Sequence, residues 1–177
     1  MTPFSDNILF FDAEFSSLEF ESSHLLSFGA VTLDGSASYY CEIEYDGDVS
    51  EFVRTEVLPS LTAPKISMDQ ARREIAEFIR AHYDTPPYLM TYVYKYDAYH
   101  WYKLFGYNDD LTHRIIIDFA SMLFTVGIDP EENSADRRAE FLQSHGVDIS
   151  TLRTHNALDD ARALRAAYRA VVLAEQR

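Results

Sequence analysis

Asp12 and Glu14 stand two positions apart inside an apolar, aromatic run, NILFFDAEFSS (7–17). Side chains two apart on a strand share a face, so both carboxylates project together while Phe11, Ala13 and Phe15 point the other way. An enclosed charge costs roughly several kcal/mol unless something compensates it. No Lys or Arg lies nearby in sequence. Either the strand end reaches solvent, or the compensating group comes from elsewhere in the fold or from outside the protein.

Further acids invite the same question. Asp97 follows the apolar segment YLMTYVY (88–94), where it could cap the short helix behind it or meet a ligand past a strand end. In HNALDDA (155–161), helical spacing gives a stripe of Leu158, Ala161, Leu164, Tyr168, Val171 and Val172. Asp160 falls at the edge of that stripe and can face a site. Asp159 is expected on the solvated side, complementing the helix N-terminus three residues after Asn156. His155 precedes the first turn and is suited to act as a base near neutral pH.

The elements that must position these residues are legible as an α/β order. ILFFDAEF, LLSFGAVTL (25–33) and ASYYCEIEY (37–45) read as three strands of an antiparallel meander, the last two joined at Asp34-Gly35. Ser67 as N-cap, with Gln70 three residues later completing a capping box, starts an amphipathic helix, SMDQARREIAEFIRAHY. A fourth strand (88–94), a short aromatic helix (97–106), a fifth strand, RIIIDF (114–119), and a helix at ASMLFTVG follow. A charged helix (132–146) and a long terminal helix (156–176) complete the chain. A mixed five-stranded sheet flanked by helices, in a single domain of residues 1–177, is the expectation.

Composition narrows the function classes. Fifteen Lys and Arg against 29 Asp and Glu give a net charge of −14. Such a field repels phosphate, so passive adhesion to nucleic acid or anionic lipid is not expected, whereas a phosphate handled through bound cations is compatible with it. Cys41 is the only cysteine, which excludes an intrachain disulfide and suits a reducing cytoplasm. Tyr39, Cys41, Ile43 and Tyr45 share one strand face, so Cys41 reads as core rather than as a nucleophile. The longest uncharged apolar stretch, FASMLFTVGI (119–128), is about half of the ~20 residues a membrane span needs, and no basic, apolar leader opens the chain. The glycines form no phosphate loop.

Taken together, FFDAEF, YVYKYDAYHWYKLFG and HNALDDA resemble the three motifs of the DEDDh 3′→5′ exonucleases, a branch of the ribonuclease H-like fold. Within that branch the chain is similar to the small bacterial exoribonucleases of the ribonuclease AS type, through the Phe after the first Glu, LLSFGAV, the YY opening the third strand, and VRTEVLPSL (53–61). The match runs from about residue 8 to 170, and the stretch 107–150 has no counterpart in it. The resemblance implies a three-layer fold with Asp12, Glu14, Asp97 and Asp160 holding two divalent ions, Mg²⁺ or Mn²⁺, and His155 as general base. It further implies release of nucleoside 5′-monophosphates from single-stranded RNA 3′ ends, a leaning to adenylate, and a homodimer. Cations also fit the physical reading, since four gathered carboxylates repel each other unless some stay protonated or cations intervene.

Phe15, Leu18 and Trp101 lie beside the motifs and could stack against bases, although each could equally be core. Two other functions remain open: an acidic nucleic-acid mimic or interaction protein, motivated by the charge, and an exonuclease of the same fold acting on DNA.

Overall fold

The computed structural model describes residues 3–173. Six strands form one sheet: β1 (Ile8–Phe15), β2 (Leu25–Thr32), β3 (Ser38–Ile43), β4 (Lys65–Ile66), β5 (Tyr88–Thr91) and β6 (Ile116–Asp118), in the order β4-β3-β2-β1-β5-β6. β1, β2 and β3 are antiparallel neighbours, whereas β5 joins β1, and β6 joins β5, in parallel. The sixth strand, beyond the expected five, is the two-residue β4, which pairs with β3 in parallel. Its sequence, Lys-Ile, is too short for any alternation to announce it.

Five helices cover the sheet: α1 (Met68–His82), α2 (Lys95–Phe105), α3 (Phe119–Thr125), α4 (Arg138–Ser144) and α5 (Ala157–Tyr168). The alternation along β1 sorts its side chains between two cores. Leu9, Phe11 and Ala13 pack with Ala71, Ile75 and Ile79 of α1 and with Trp101 and Leu104 of α2. Ile8 and Phe10 pack on the opposite face with Phe119, Leu123, Leu164 and Tyr168. Asp12 and Glu14 continue this second face, towards α5.

Several elements differ from the sequence reading. The charged helix expected over 132–146 is a 3₁₀ turn at Pro130–Asn133 followed by the shorter α4. The Asp129 side chain accepts from the Glu131 backbone N–H and ends the preceding loop at Pro130, which explains the earlier start. The terminal helix gives way after Tyr168 to a π-helical turn, Arg169–Leu173, and the last expected residues lie outside the described ones. Ser67 caps α1 by accepting from the Gln70 backbone N–H, but the Gln70 amide turns to Glu74 at 2.8 Å instead of closing a reciprocal box. Cys41 is buried, and burial pushes its thiol up to about 11, in keeping with a core role. Among the described residues no helix is long and apolar enough to cross a membrane.

One backbone contact decides where α5 can lie. Gly29 of β2 pairs with Asp12 of β1. A Cβ on Gly29 would stand 2.2 Å from the Leu158 backbone nitrogen and 2.3 Å from the Ala157 carbonyl carbon. Only a residue without a side chain lets the first turn of α5 rest directly on the sheet beside Asp12. Gly29→Ala is therefore expected to destabilise the protein by about 3 kcal/mol, at the upper end for overpacking, because the obstruction is backbone and cannot rotate away. Urea unfolding midpoints read the change directly.

Candidate active site

Three separate segments meet above the end of β1. Oxygens of Asp12, Glu14 and Asp160 all lie within 4.8 Å of one another. Asp12 and Glu14 arrive there by strand alternation, and Asp160 by the seating of α5 over Gly29. A register shift between Glu14 and Phe15 ends the regular pairing of β1 with β2 just past the pair. Such bulges re-aim side chains at the rim of a sheet.

Asp97 borders the same cavity from the other side but stands outside that tight trio. It is not the cap of α2, which begins two residues earlier, and sits buried in the first turn. Its Oδ1 accepts from the Ala13 backbone N–H at 3.0 Å and its Oδ2 from the Thr91 hydroxyl at 2.6 Å. These bonds tie α2 to β1 and β5 and fix the carboxylate beside its neighbours.

The electrostatic consequence is large. Burial, and then the charges of Asp97, Asp160 and Glu14, hold the Asp12 carboxyl well above its ordinary range. Burial followed by Asp160 and Asp97 pushes Glu14 up to about 8. Burial raises Asp97 to about 7 against the opposing pull of the Thr91 and Ala13 hydrogen bonds. Asp160 is raised by burial and drawn back by Arg138 and His155. A cluster that resists ionisation and offers only hard oxygen donors is the chemistry that Mg²⁺ or Mn²⁺ relieves. The residues fit such ions.

His155 lines the cavity of about 670 Å³ that contains these acids. Its backbone is left-handed, with φ 58°, and its carbonyl accepts from the Ser60 hydroxyl. Val93, with φ 54°, borders the same cavity. Each such non-glycine conformation costs on the order of 1–3 kcal/mol, and such residues concentrate where a site is shaped. The His155 ring meets Phe52 edge-on at 5.1 Å.

The mouth of the cavity is apolar: Leu18 is 62% exposed and Phe52 55%. Phe15, half-buried, lines it while stacking on Tyr96 and His100. Trp101 does not reach it. That side chain is buried between Phe11, Phe28 and Phe105 in the core under α1, so of the three aromatic or apolar candidates it is the one displaced from the site. It lies one turn beyond Asp97 on the same sheet-facing side of α2, and that turn carries it past the cavity into the core.

Asp159, expected at a solvated face, is instead buried. Oδ2 accepts from the Arg153 backbone N–H and from its Nε at 3.0 Å, and Oδ1 from Arg162 Nη1 at 3.1 Å. Its role is structural, as the sequence suggested, but through ion pairs that shield it.

Two residues of the cavity carried no signal in the sequence. Arg138, the first residue of α4, forms an ion pair with Asp160, and its charge reaches Asp12 and Glu14 as well. Asn133, 1% exposed, borders the cavity with neither amide atom hydrogen-bonded. An unpaired buried polar group costs about 1–3 kcal/mol. Nothing in their local sequence marks either residue; only the fold brings 130–138 against the acids.

No protein-family model matches the chain, and no curated protein does. Solved structures do. The nuclease domain of 3′hExo, a DEDDh family member bound to rAMP, superimposes with a TM-score of 0.68 at 13% identity, covering 96% of this chain and 91% of that one. A full-length 3′-exonuclease gives 0.66 at 13% identity, covering 96% and 82%. The chain thus has the ribonuclease H-like fold of the DEDDh exonucleases.

The raised carboxyls make a signed prediction for metal-free protein. Between the unfolded values near 4 and the folded values of about 7 to 8, the folded state holds more protons than the unfolded one, so stability falls as pH rises. His100, lowered by burial to about 4, acts in the opposite direction, but only below its unfolded value of about 6.5. Chelator-treated protein should therefore lose melting temperature from about pH 6.5 to 8.5 in calorimetry, and saturating Mn²⁺ should flatten that decline.

Proposed function

We propose that the protein is a metal-dependent 3′→5′ exoribonuclease that releases nucleoside 5′-monophosphates. The observation that carries this reading is the convergence of Asp12, Glu14 and Asp160 within 4.8 Å in a cavity whose mouth is apolar. The DEDDh-type fold supports it. So does the order of the three motifs, whose likeness to the ribonuclease AS type underlies the leaning to RNA, and to adenylate within it.

In this reading Asp12, Glu14 and Asp160, with Asp97 beside them, hold two Mg²⁺ or Mn²⁺ ions. When bound, the ions supply a polarised water and positive charge against the phosphate and the departing oxygen. His155, which lines the same cavity, takes the proton of the attacking water as the water oxygen bonds to phosphorus. The bond from phosphorus to the 3′-oxygen breaks, and that oxygen leaves with the shortened chain. Leu18, Phe15 and Phe52 offer the terminal base an apolar seat, which compensates for a body whose net charge of −14 repels the rest of the strand. A mimic of nucleic acid would display its carboxylates. Here Glu14, Asp97 and Asp160 are buried and Asp12 is partly so, which counts against that alternative. A homodimer in a reducing cytoplasm belongs to the same reading, by resemblance and by the lone buried cysteine.

Incubation of 5′-labelled RNA and DNA oligomers with and without Mn²⁺, resolved on a gel, tests this. Stepwise shortening of RNA only with metal is expected; shortening of DNA alone would keep the chemistry and replace the substrate. His155→Ala should lower kcat by roughly 10²–10⁴-fold while leaving manganese binding intact. Asp160→Ala should abolish both. Asp159→Ala should chiefly lower stability, by about 1 kcal/mol, since the two arginines it frees are half exposed and stay hydrated.

A further inference from the structure

Arg138 stands out because it is the only cation that contacts the acid trio among the described residues. Its guanidinium is largely enclosed, with side-chain exposure of 12%, against 10% for its partner Asp160. Only one of its groups is engaged: Nη2 donates to Asp160 Oδ1, while Nε is buried and has no acceptor. The contrast with Asp159 is instructive. That carboxylate takes donors from Arg153 and Arg162 on both oxygens and does not line the cavity of the acids, as a structural ion pair should not. The Arg138 pair is incomplete and faces the cavity.

The same segment leaves a second group unused. Asn133 presents an unpaired buried amide to the same cavity five residues earlier. Between them the Ser134 carbonyl accepts from the Arg137 and Arg138 backbone N–H groups at 3.1 and 2.8 Å. A change of partner that keeps these bonds is a rotation of the Arg138 side chain. A guanidinium offers a planar fork of donors that matches two oxygens of a phosphate.

Resting on the metal-dependent reading above, we propose that Arg138 exchanges partners: it holds Asp160 while the acids lack cations, and binds a non-bridging oxygen of the nucleotide phosphate once they have them. Cations at Asp12, Glu14 and Asp160 compete for the carboxylate that Arg138 occupies and repel its charge. The released fork, with the free Nε–H, then faces the position where the phosphate must lie. Arg138 thereby becomes a substrate-binding residue supplied by the stretch that has no counterpart in the motif resemblance.

Calorimetric titration of Arg138→Met and Arg138→Lys, with wild type beside them, tests this without turnover. In nucleotide-free protein, Arg138→Met should bind Mn²⁺ about tenfold more tightly, because a competing cation is gone. At saturating Mn²⁺ the same variant should bind adenosine 5′-monophosphate about tenfold more weakly and adenosine with wild-type affinity. Arg138→Lys keeps the charge without the fork, so its manganese affinity should match wild type while its monophosphate affinity falls; it decides the matter should the Met variant fail to fold. An unchanged manganese affinity in Arg138→Met, an unchanged monophosphate affinity in either variant, or equal losses for adenosine and its monophosphate overturn the inference alone. A wild type that binds no Mn²⁺ overturns the metal reading as well.

Discussion

More negative charge is enclosed at the end of β1 than the chain itself neutralises. Asp12, Glu14, Asp97 and Asp160 crowd one cavity, and among the described residues a single guanidinium, that of Arg138, answers them. Everything else about the site follows from how that imbalance is built and tolerated. The strand acids cannot move apart, because alternation puts both on the face that also carries Ile8 and Phe10 in the second core. Asp160 cannot retreat, because its helix is seated backbone to backbone over Gly29. Asp97 is pinned by the Ala13 N–H and the Thr91 hydroxyl. Rigidity of this kind has a cost in stability that only protons or cations relieve, and protonation is what the raised carboxyl values report.

The overall charge and the local geometry act at different ranges. A field of −14 opposes a polyanion at a distance, where screening by salt sets the reach to about 10 Å or less. Within the cavity the proposed cations would change the balance, since they reverse the sign felt by a phosphate, and the exposed Leu18 and Phe52 would favour a base over water. On that reading one terminal nucleotide would hold a strand end, with little need for a basic track along the rest of the strand.

How much of this the sequence revealed depended on whether a residue's neighbours lay in its own segment. Period-two alternation sufficed to set Asp12 beside Glu14, and helical spacing to separate Asp160 from Asp159. The environment of Asp159 was misjudged because its partners, Arg153 and Arg162, lie in a preceding loop and one turn further along α5, and they fold over a face that periodicity alone marks as solvated. Trp101 was ambiguous for a related reason: α2 is aromatic on several sides, so spacing could not say which ring faces the sheet. The sixth strand and the approach of Arg138 arise from long-range packing with no local signature, whereas the 3₁₀ turn at Pro130–Asn133 has one in Asp129-Pro130. Gly29 is the instructive case, since a glycine in a fully buried strand signals close approach of something but does not name it.

The site therefore has two parts of different origin. The acids come from the sheet and from the helix laid directly on it, where backbone hydrogen bonds and core packing fix positions to within a fraction of an ångström. The remaining wall comes from turns: Phe52 leads into the π-helical turn Val53–Val57, Val93 and His155 sit in left-handed conformations, and Asn133 and Arg138 lie around a 3₁₀ turn. Charge chemistry needs the first kind of support, because an error of one ångström in a carboxylate changes its interaction with a bound cation severely. Recognition of a base, sugar or phosphate tolerates the second kind, and turns can vary in sequence without disturbing the sheet. On the proposed reading, the reaction class would rest on the strand and helix acids, and discrimination among nucleotides largely on the turns, above all on the 130–138 segment that leaves two buried polar groups without partners.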